Sequence, residues 1–391
     1  MKKTKFETLA VRSQTPRTEN REHSVPIYPT SSYVFESAEH ARALFQEEQE
    51  GTIYSRYSNP NNDEFIEKLC QMEGLPKGMA TASGMGAVFT SLAAYLSQGD
   101  HLVACRSIFG STHQVLTQIL PRWGITHTYV DGQDVAEWEE AIQPNTKMLF
   151  FETPSNPALD LFDTEAIASL GKSKGLIVNM DNCFATPYLQ TPADFGVDLV
   201  THSATKFIDG QGRVLGGAVV TTEELYPALK YMCRHTGPAM SPFHGWILSK
   251  SLETLAARMD RHCSNALKLA EAMESAEGIN FVKYPFLKSH PQFALAQKQM
   301  KQGGGMVTIE LEGGLERGKK FLDSLEMITL SANLGDSRTI ATHPAYTTHS
   351  KLTEEERQAV GISPGMVRIS VGLEHVDDII ADVLQALEKS K

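Results

Sequence analysis

An apolar run that ends in hydroxyls around an amine stands at Val200-Thr201-His202-Ser203-Ala204-Thr205-Lys206-Phe207. A lysine in a desolvated, hydroxyl-lined and partly cationic setting loses basicity and becomes a nucleophile toward carbonyl carbon. A solvated surface lysine is the plain alternative. Twenty-five residues earlier, Ile177-Val178-Asn179-Met180-Asp181 is a second apolar run, and it ends in a carboxylate. Ligands of open α/β sheets bind beyond the carboxyl ends of the strands, so Asp181 and Lys206, about one helix and one strand apart, fall at the same sheet edge. A helix N-cap is the other reading of Asp181. A third stretch, Ala82-Ser83-Gly84-Met85-Gly86-Ala87, is a small polar turn opening a helix. Free N–H groups and a dipole of about half a charge favour an anion there, although an ordinary capped helix has the same pattern.

Together the three stretches describe a ligand with an anion, an aldehyde and a basic ring nitrogen. Pyridoxal 5'-phosphate carries those groups, and proteins serve it with a Schiff-base lysine and an acidic partner for the ring nitrogen. Other motifs fall short. Gly313 to Lys319 fits G-x-x-x-x-G-K, but Lys320 takes the place of the magnesium-holding hydroxyl of a P-loop. Neither Gly84-Met85-Gly86 nor Gly210-Gln211-Gly212 continues to a dinucleotide fingerprint, and Ser83 lacks the preceding glycine of a nucleophile elbow. His343 and His349 have no metal-ligand spacing with partners. The five cysteines, Cys70, Cys105, Cys183, Cys233 and Cys263, form no C-x-x-C pair and read as reduced thiols of a cytoplasmic protein.

Elements must hold these residues at one edge. Short apolar runs at His101–Cys105, Thr126–Val130, Lys147–Phe151, Leu176–Met180, Leu199–His202 and Ala218–Thr221 alternate with helical stretches such as Gly86–Leu96, Ser111–Leu120 and Thr164–Lys174. That alternation predicts a mostly parallel sheet covered on both faces. A long helix is expected from about Pro242 to Ala276. Beyond it come strands at Met306–Leu311, Met327–Leu330 and Val367–Val371, and helices at Gly318–Ser324 and His375–Glu388. The chain of 391 residues is therefore divided into a polar N-terminal arm over 1–53 with one short helix, a cofactor-binding domain over 54–245 and a smaller C-terminal α/β domain over 246–391. The formal charge of −11 repels phosphate backbones and anionic headgroups, so nucleic acid and membrane are not expected partners. Neither a signal peptide nor a membrane-spanning run is visible.

Six blocks in order, Tyr54-Ser55-Arg56-Tyr57-Ser58-Asn59-Pro60, Ala82-Ser83-Gly84-Met85, Pro154-Ser155-Asn156-Pro157, Asp181-Asn182, Ser203-Ala204-Thr205-Lys206 and Val367-Arg368-Ile369-Ser370-Val371-Gly372-Leu373-Glu374, span nearly the whole chain. Through them it resembles the Cys/Met-metabolism pyridoxal-phosphate enzymes of fold type I. The resemblance implies an aspartate-aminotransferase-like fold with a mostly parallel seven-stranded sheet. It implies Lys206 as the Schiff-base lysine, Asp181 on the ring nitrogen and Asn156 on the ring hydroxyl, with Ser83, Gly84, Met85, Ser203 and Thr205 at the phosphate. Arg368 would clamp the substrate carboxylate, with Asn333 and Tyr54 also on the substrate side. Tyr54 and Arg56 would reach a neighbouring subunit's phosphate, which implies a homo-oligomer, a dimer of dimers.

Departures narrow the branch. Phe109 stands where many members stack a tyrosine on the ring, so stacking survives without a phenolic acid. Ser111 stands where methionine γ-lyases carry a cysteine. The stretch Phe207 to Gly217, and Asn333-Leu334-Gly335-Asp336 where others have a serine, resemble the O-succinylhomoserine sulfhydrylases. The implied activity is γ-replacement on O-succinyl- or O-acetylhomoserine by sulfide, giving homocysteine for methionine biosynthesis. Cystathionine γ-synthase, a methionine or cystathionine γ-lyase, and a catalytically silent binding module are the alternatives. Arg213, Arg106 and Arg234 are equal candidates for the acyl tail.

Overall fold

The chain, described here from a computed structural model, is defined over residues 4–348, 350, 353–359 and 361–391. His349 lies outside the described residues. Seven strands build the larger sheet: β1 (Lys77–Thr81), β2 (His101–Cys105), β3 (Thr126–Val130), β4 (Thr146–Glu152), β5 (Ile177–Asp181), β6 (Leu199–Ser203) and β7 (Gly217–Thr221). Their order is β1-β7-β6-β5-β4-β2-β3. β7 runs antiparallel to both its neighbours and the other pairings are parallel. The apolar runs are explained by burial: all five residues of β2 and of β7 are buried, as a strand covered on both faces requires. β1 escaped the sequence reading because it is an edge strand, half-exposed, and carries Lys77 and Gly78 instead of an apolar run.

A second sheet has the order β10-β11-β12-β9-β8, from β8 (Ile279–Lys283), β9 (Met306–Leu311), β10 (Thr329–Leu330), β11 (Ile340–Thr342) and β12 (Met366–Ser370). Its core is Val307, Ile309, Val367 and Ile369 under Ile379 and Val383 of the Val376–Lys389 helix. β8 and β11 were not expected.

Three expectations are corrected. The helix read as continuous from Pro242 to Ala276 is two helices, Pro242–Leu252 and Leu255–Glu274, broken at Glu253–Thr254, where the Thr254 hydroxyl takes up the Ser251 carbonyl. The apolar spacing runs through the break, so periodicity could not reveal it. The N-terminal arm holds two short helices, Phe6–Arg12 and Ala38–Phe45, instead of one. Its polar backbone is taken up by the chain itself: Thr15 N donates to Glu64, Tyr28 N to Asn61, and the Trp246 indole to Val25 O. Finally, the helix expected over Ser111–Leu120 is a short α-turn (Gly110–Gln114), a π-turn (Val115–Ile119) and a 3₁₀ turn (Leu120–Trp123) in succession, the last holding Pro121 and ended by Gly124.

Candidate active site

Three parallel strands, β4, β5 and β6, deliver their last residues to one edge. Glu152 ends β4 and pairs in register with Asp181, which ends β5; Asp181 pairs with Thr201 of β6, and β6 ends at Ser203. Asp181 is not a helix cap. Its Oδ1 accepts from Cys183 N at 2.9 Å, while the next helix starts only at Thr186. Burial raises the Asp181 carboxyl to about 6, opposed by that N–H and by His202, which favour the charged form.

Lys206 lies one turn past β6 and is partly buried. Its Nζ donates to Asn333 Oδ1 at 2.8 Å. Burial lowers its basicity, and the nearby Arg368 cation lowers it further. This is the setting in which an amine attacks a carbonyl near neutral pH. Gly335 explains how the Asn333 loop comes so close: at φ +73° it lies against the Lys206–Phe207 peptide, where a Cβ would fall 2.5 Å from Phe207 N. Asn333 was expected to face substrate; its side chain is on the lysine.

Arg368, in the middle of β12, is the other cation of the cleft. It is buried, donates from Nη1 to Asn156 Oδ1 at 2.8 Å, and from Nη2 to Ala332 O and Asn333 O at 3.2 Å each. Its Nε has no partner among the described residues. Burial brings the guanidinium down to about 10, with Glu152 opposing. A buried planar cation with an unused donor suits a carboxylate ligand.

The turn at Ser83 forms the remaining wall. Ser83 Oγ accepts from Gly86 N at 3.1 Å and caps the Gly84–Ala93 helix, leaving the Gly84 and Met85 amides as the orphan donors of its first turn. Gly84 packs onto the end of β6; a Cβ there would lie 2.4 Å from Ser203 Cβ. Only glycine lets the helix N-terminus and the Ser203 hydroxyl converge. Thr205 Oγ1 accepts from Gly216 N at 3.1 Å, which fixes the turn between Ser203 and Lys206. An amine with lowered basicity, a carboxylate at a strand end and a glycine-made anion cradle together fit pyridoxal phosphate.

Sequence reasoning missed Glu152. Its Oε2 accepts from Phe109 N at 3.0 Å, so it fixes the loop that carries the aromatic residue. Burial, and Asp181 next to it, push its carboxyl well above the ordinary range. Glu152 stands two residues before the Pro154–Pro157 block, and its place at the end of an apolar run was the available signal. Tyr54 and Arg56 are not brought to Lys206 within the chain. Tyr54 is 40% exposed and packs on Tyr57, and the Arg56 guanidinium donates to Arg234 O. Of the arginines considered for an acyl tail, Arg213 is held by Asp209 and Ser251, Arg234 by Glu47, and Arg106 by Asp131. Among the described residues no His, Cys, Asp and Glu cluster could hold a metal, and no helix is long and apolar enough to cross a membrane.

One helix braces both cations. From Leu255–Glu274, Arg258 donates to Phe207 O and to Ile208 O at 2.5 and 2.9 Å, just past Lys206. One turn on, His262 Nδ1 meets Val371 O at 2.6 Å, and Asn265 donates to Gly372 O at 3.0 Å, just past Arg368.

A profile of the Cys/Met metabolism PLP-dependent enzymes matches residues 7–388. The chain is 48% identical over 386 residues to an O-succinylhomoserine sulfhydrylase of Mycobacterium tuberculosis, covering 97% of this chain and 95% of the relative. It is 40% identical to an L-methionine gamma-lyase of Fusobacterium nucleatum, covering 100% and 99%. Among solved structures it is similar to a putative O-acetylhomoserine (thiol)-lyase of Campylobacter jejuni that carries N'-pyridoxyl-lysine-5'-monophosphate. The TM-score is 0.95 at 35% identity, over 98% of this chain and 100% of that one.

Proposed function

The chain belongs to the Cys/Met metabolism PLP-dependent enzyme family, and from that premise we propose that it replaces the acyloxy group of O-succinyl- or O-acetylhomoserine with sulfide to give homocysteine. The observation that carries the reading is Lys206, an amine of lowered basicity held 2.8 Å from Asn333 beside the buried Arg368. The identity to the sulfhydrylase of M. tuberculosis supports the choice of substrate.

Pyridoxal phosphate, when bound, supplies an electron sink that acidifies the substrate's Cα–H and then Cβ–H bonds. Lys206 would hold it covalently, Asp181 would accept from its ring nitrogen, and Phe109 would cover its ring. Asn156 would meet its hydroxyl, and Ser83, Gly84, Met85, Ser203 and Thr205 would meet its phosphate. Arg368 grips the substrate α-carboxylate with its spare donor and fixes Cα beside Lys206. The lysine amine, oriented by the Asn333 oxygen, takes the proton from Cα and relays protons at Cβ. The Cγ–O bond breaks and the acyl group leaves as a carboxylate; a Cγ–S bond then forms with sulfide, and the same amine returns the protons.

A second copy of the chain is part of the proposal: Tyr54 and Arg56, turned away from their own Lys206, would complete the partner's phosphate site. Mixing a Lys206→Ala chain with an Arg56→Ala chain tests this, since hybrids would regain one intact site. Activity no greater than that of the separate variants would refute it.

Sulfide and cysteine compete as nucleophiles with each acyl ester in the deciding assay. Homocysteine formed preferentially from sulfide is expected; equal or better turnover with cysteine would assign a cystathionine γ-synthase instead. The similarity to a methionine gamma-lyase favours elimination as the second reading. Ketobutyrate and ammonia formed from methionine without sulfide would establish that reading.

A further inference from the structure

Glu73 ends the Pro60–Glu73 helix behind the larger sheet, fully buried and outside the cleft. Its Oε1 accepts two hydrogen bonds, from Asn182 Nδ2 at 2.8 Å and from His202 Nε2 at 2.6 Å. Both donors adjoin cleft residues: Asn182 follows Asp181, and His202 precedes Ser203. Side chains alternate along a strand, so His202 faces Glu73 while Ser203 faces the Gly84 turn. Asn182 N also donates to Thr201 O at 3.1 Å. One carboxylate thus lashes the ends of β5 and β6 together from behind.

We propose that Glu73 is a positioning residue: through Asn182 and His202 it sets the spacing and polarity of the two strand ends that present Asp181 and Ser203 to the cofactor. This rests on the reading of the cleft as a pyridoxal phosphate site. A carboxylate can only accept, so Glu73 fixes a proton on His202 Nε2. The His202 ring in turn favours the ionised form of Asp181. The groups facing Asp181 are Glu152 from β4, His202 from β6 and Cys183 from its own turn. Glu73 is faced by His202 and Asn182, with Cys70 on its own helix. The arrangement is costly. Glu73 Oε2 and His202 Nδ1 have no partner among the described residues, and a buried polar pair is often replaceable as a whole by apolar side chains without loss of stability. A purely structural tie would not need a carboxylate here; a tie that also orients the His202 ring beside Asp181 does.

The test uses the full-length protein, stripped of cofactor and titrated with pyridoxal 5'-phosphate. Glu73→Gln keeps the size and the acceptor toward Asn182 but not the charge. His202→Gln keeps a donor toward Glu73 but cannot be charged. Each variant is expected to bind the cofactor about 10-fold more weakly, the scale that outer-shell partners carry at metal sites. The pH midpoint of its visible absorption band should shift as well, while the cofactor-free forms melt within a few degrees of wild type. Cofactor affinity and midpoint unchanged in both variants would overturn the proposal. So would a fall in the melting temperature of the cofactor-free forms with an unchanged midpoint, since that marks a merely structural tie. Wild-type protein that takes no borohydride-reducible label on Lys206 would instead remove the reading of the cleft itself.

Discussion

Replacing Asn333 by Asp puts a charge where the lysine amine now meets a neutral oxygen. The donor and acceptor are 2.8 Å apart. For unit charges at that distance, Coulomb's law gives about 6 kcal/mol at an effective dielectric of about 20, and about 1.5 kcal/mol at that of water. Divided by about 1.4 kcal/mol per unit, the range is about 1 to 4 units of upward shift in the basicity of Lys206. Arg368, which donates to the Asn333 carbonyl at 3.2 Å, offsets part of the new charge and favours the lower half of that range. The assay is the rate at which cofactor-free protein captures pyridoxal phosphate, followed by visible absorbance against pH, because only the unprotonated amine attacks an aldehyde. The N333D profile should keep its shape with its midpoint at least about one unit higher. N333L, which removes the acceptor without adding charge, should not move it upward. An N333D midpoint equal to wild type would show that Asn333 does not face the amine in solution, and the argument from burial and hydrogen bonding at Lys206 would fall with it.

Arg368→Lys keeps a charge but loses the donors to Asn156 and the loop carbonyls. A lost charged hydrogen bond of about 2 kcal/mol should raise the KM for the amino-acid substrate about 30-fold with a smaller effect on kcat; steady-state kinetics decide, and an unchanged KM would contradict the carboxylate role. Gly84→Ala drives a methyl to within 2.4 Å of Ser203 Cβ. It should destabilise the chain by about 1–3 kcal/mol and weaken cofactor retention, read by thermal melts and cofactor titration. His262, buried against Phe207 and bonded to Val371 O, is lowered by burial to about 4. The unfolded chain therefore takes up this proton near 6.5 and the folded chain only near 4, so stability falls as pH drops through that window, by up to about 3 kcal/mol. Urea unfolding at pH 7 and pH 4.5 should show a smaller difference for His262→Gln than for wild type; an equal difference would contradict the assignment.

The strands of the larger sheet were legible because burial on both faces demands nearly continuous apolar runs, which β2 and β7 display. The same rule hid β1, whose open edge tolerates Lys77 and Gly78. The cleft residues Asp181 and Lys206 were legible for a related reason: Asp181 closes an apolar run where β5 ends, and Lys206 follows the hydroxyls that close the run of β6. Glu152 has the same signature at the end of β4, yet it falls between the Lys147–Phe151 run and the Pro154–Pro157 block and belongs to neither. Asn333 was placed in the cleft, but its partner was not, since the contact joins residues 127 apart and depends on Gly335 lying flat against a peptide. Glu73 was invisible for a stronger reason. A glutamate near the end of an amphipathic helix looks like a solvated face, and only the packing of the Pro60–Glu73 helix against β1 and β7, which carries Glu73 to His202, reverses that.

The Leu255–Glu274 helix spans two cores: Leu255, Met259 and Cys263 belong to that of the larger sheet, and Ala266, Leu269 and Met273 to that of the smaller. Arg258 and His262 stand four residues apart on this one rod, about 6 Å along its axis. From there they brace the segments after Lys206 and after Arg368. The gap between nucleophile and carboxylate clamp is thus gauged from a single straight edge, as two cuts are measured from one datum so that errors do not accumulate. A rocking of one sheet against the other would have to bend this unbroken helix before it widened the space in which the amino-acid substrate has to fit.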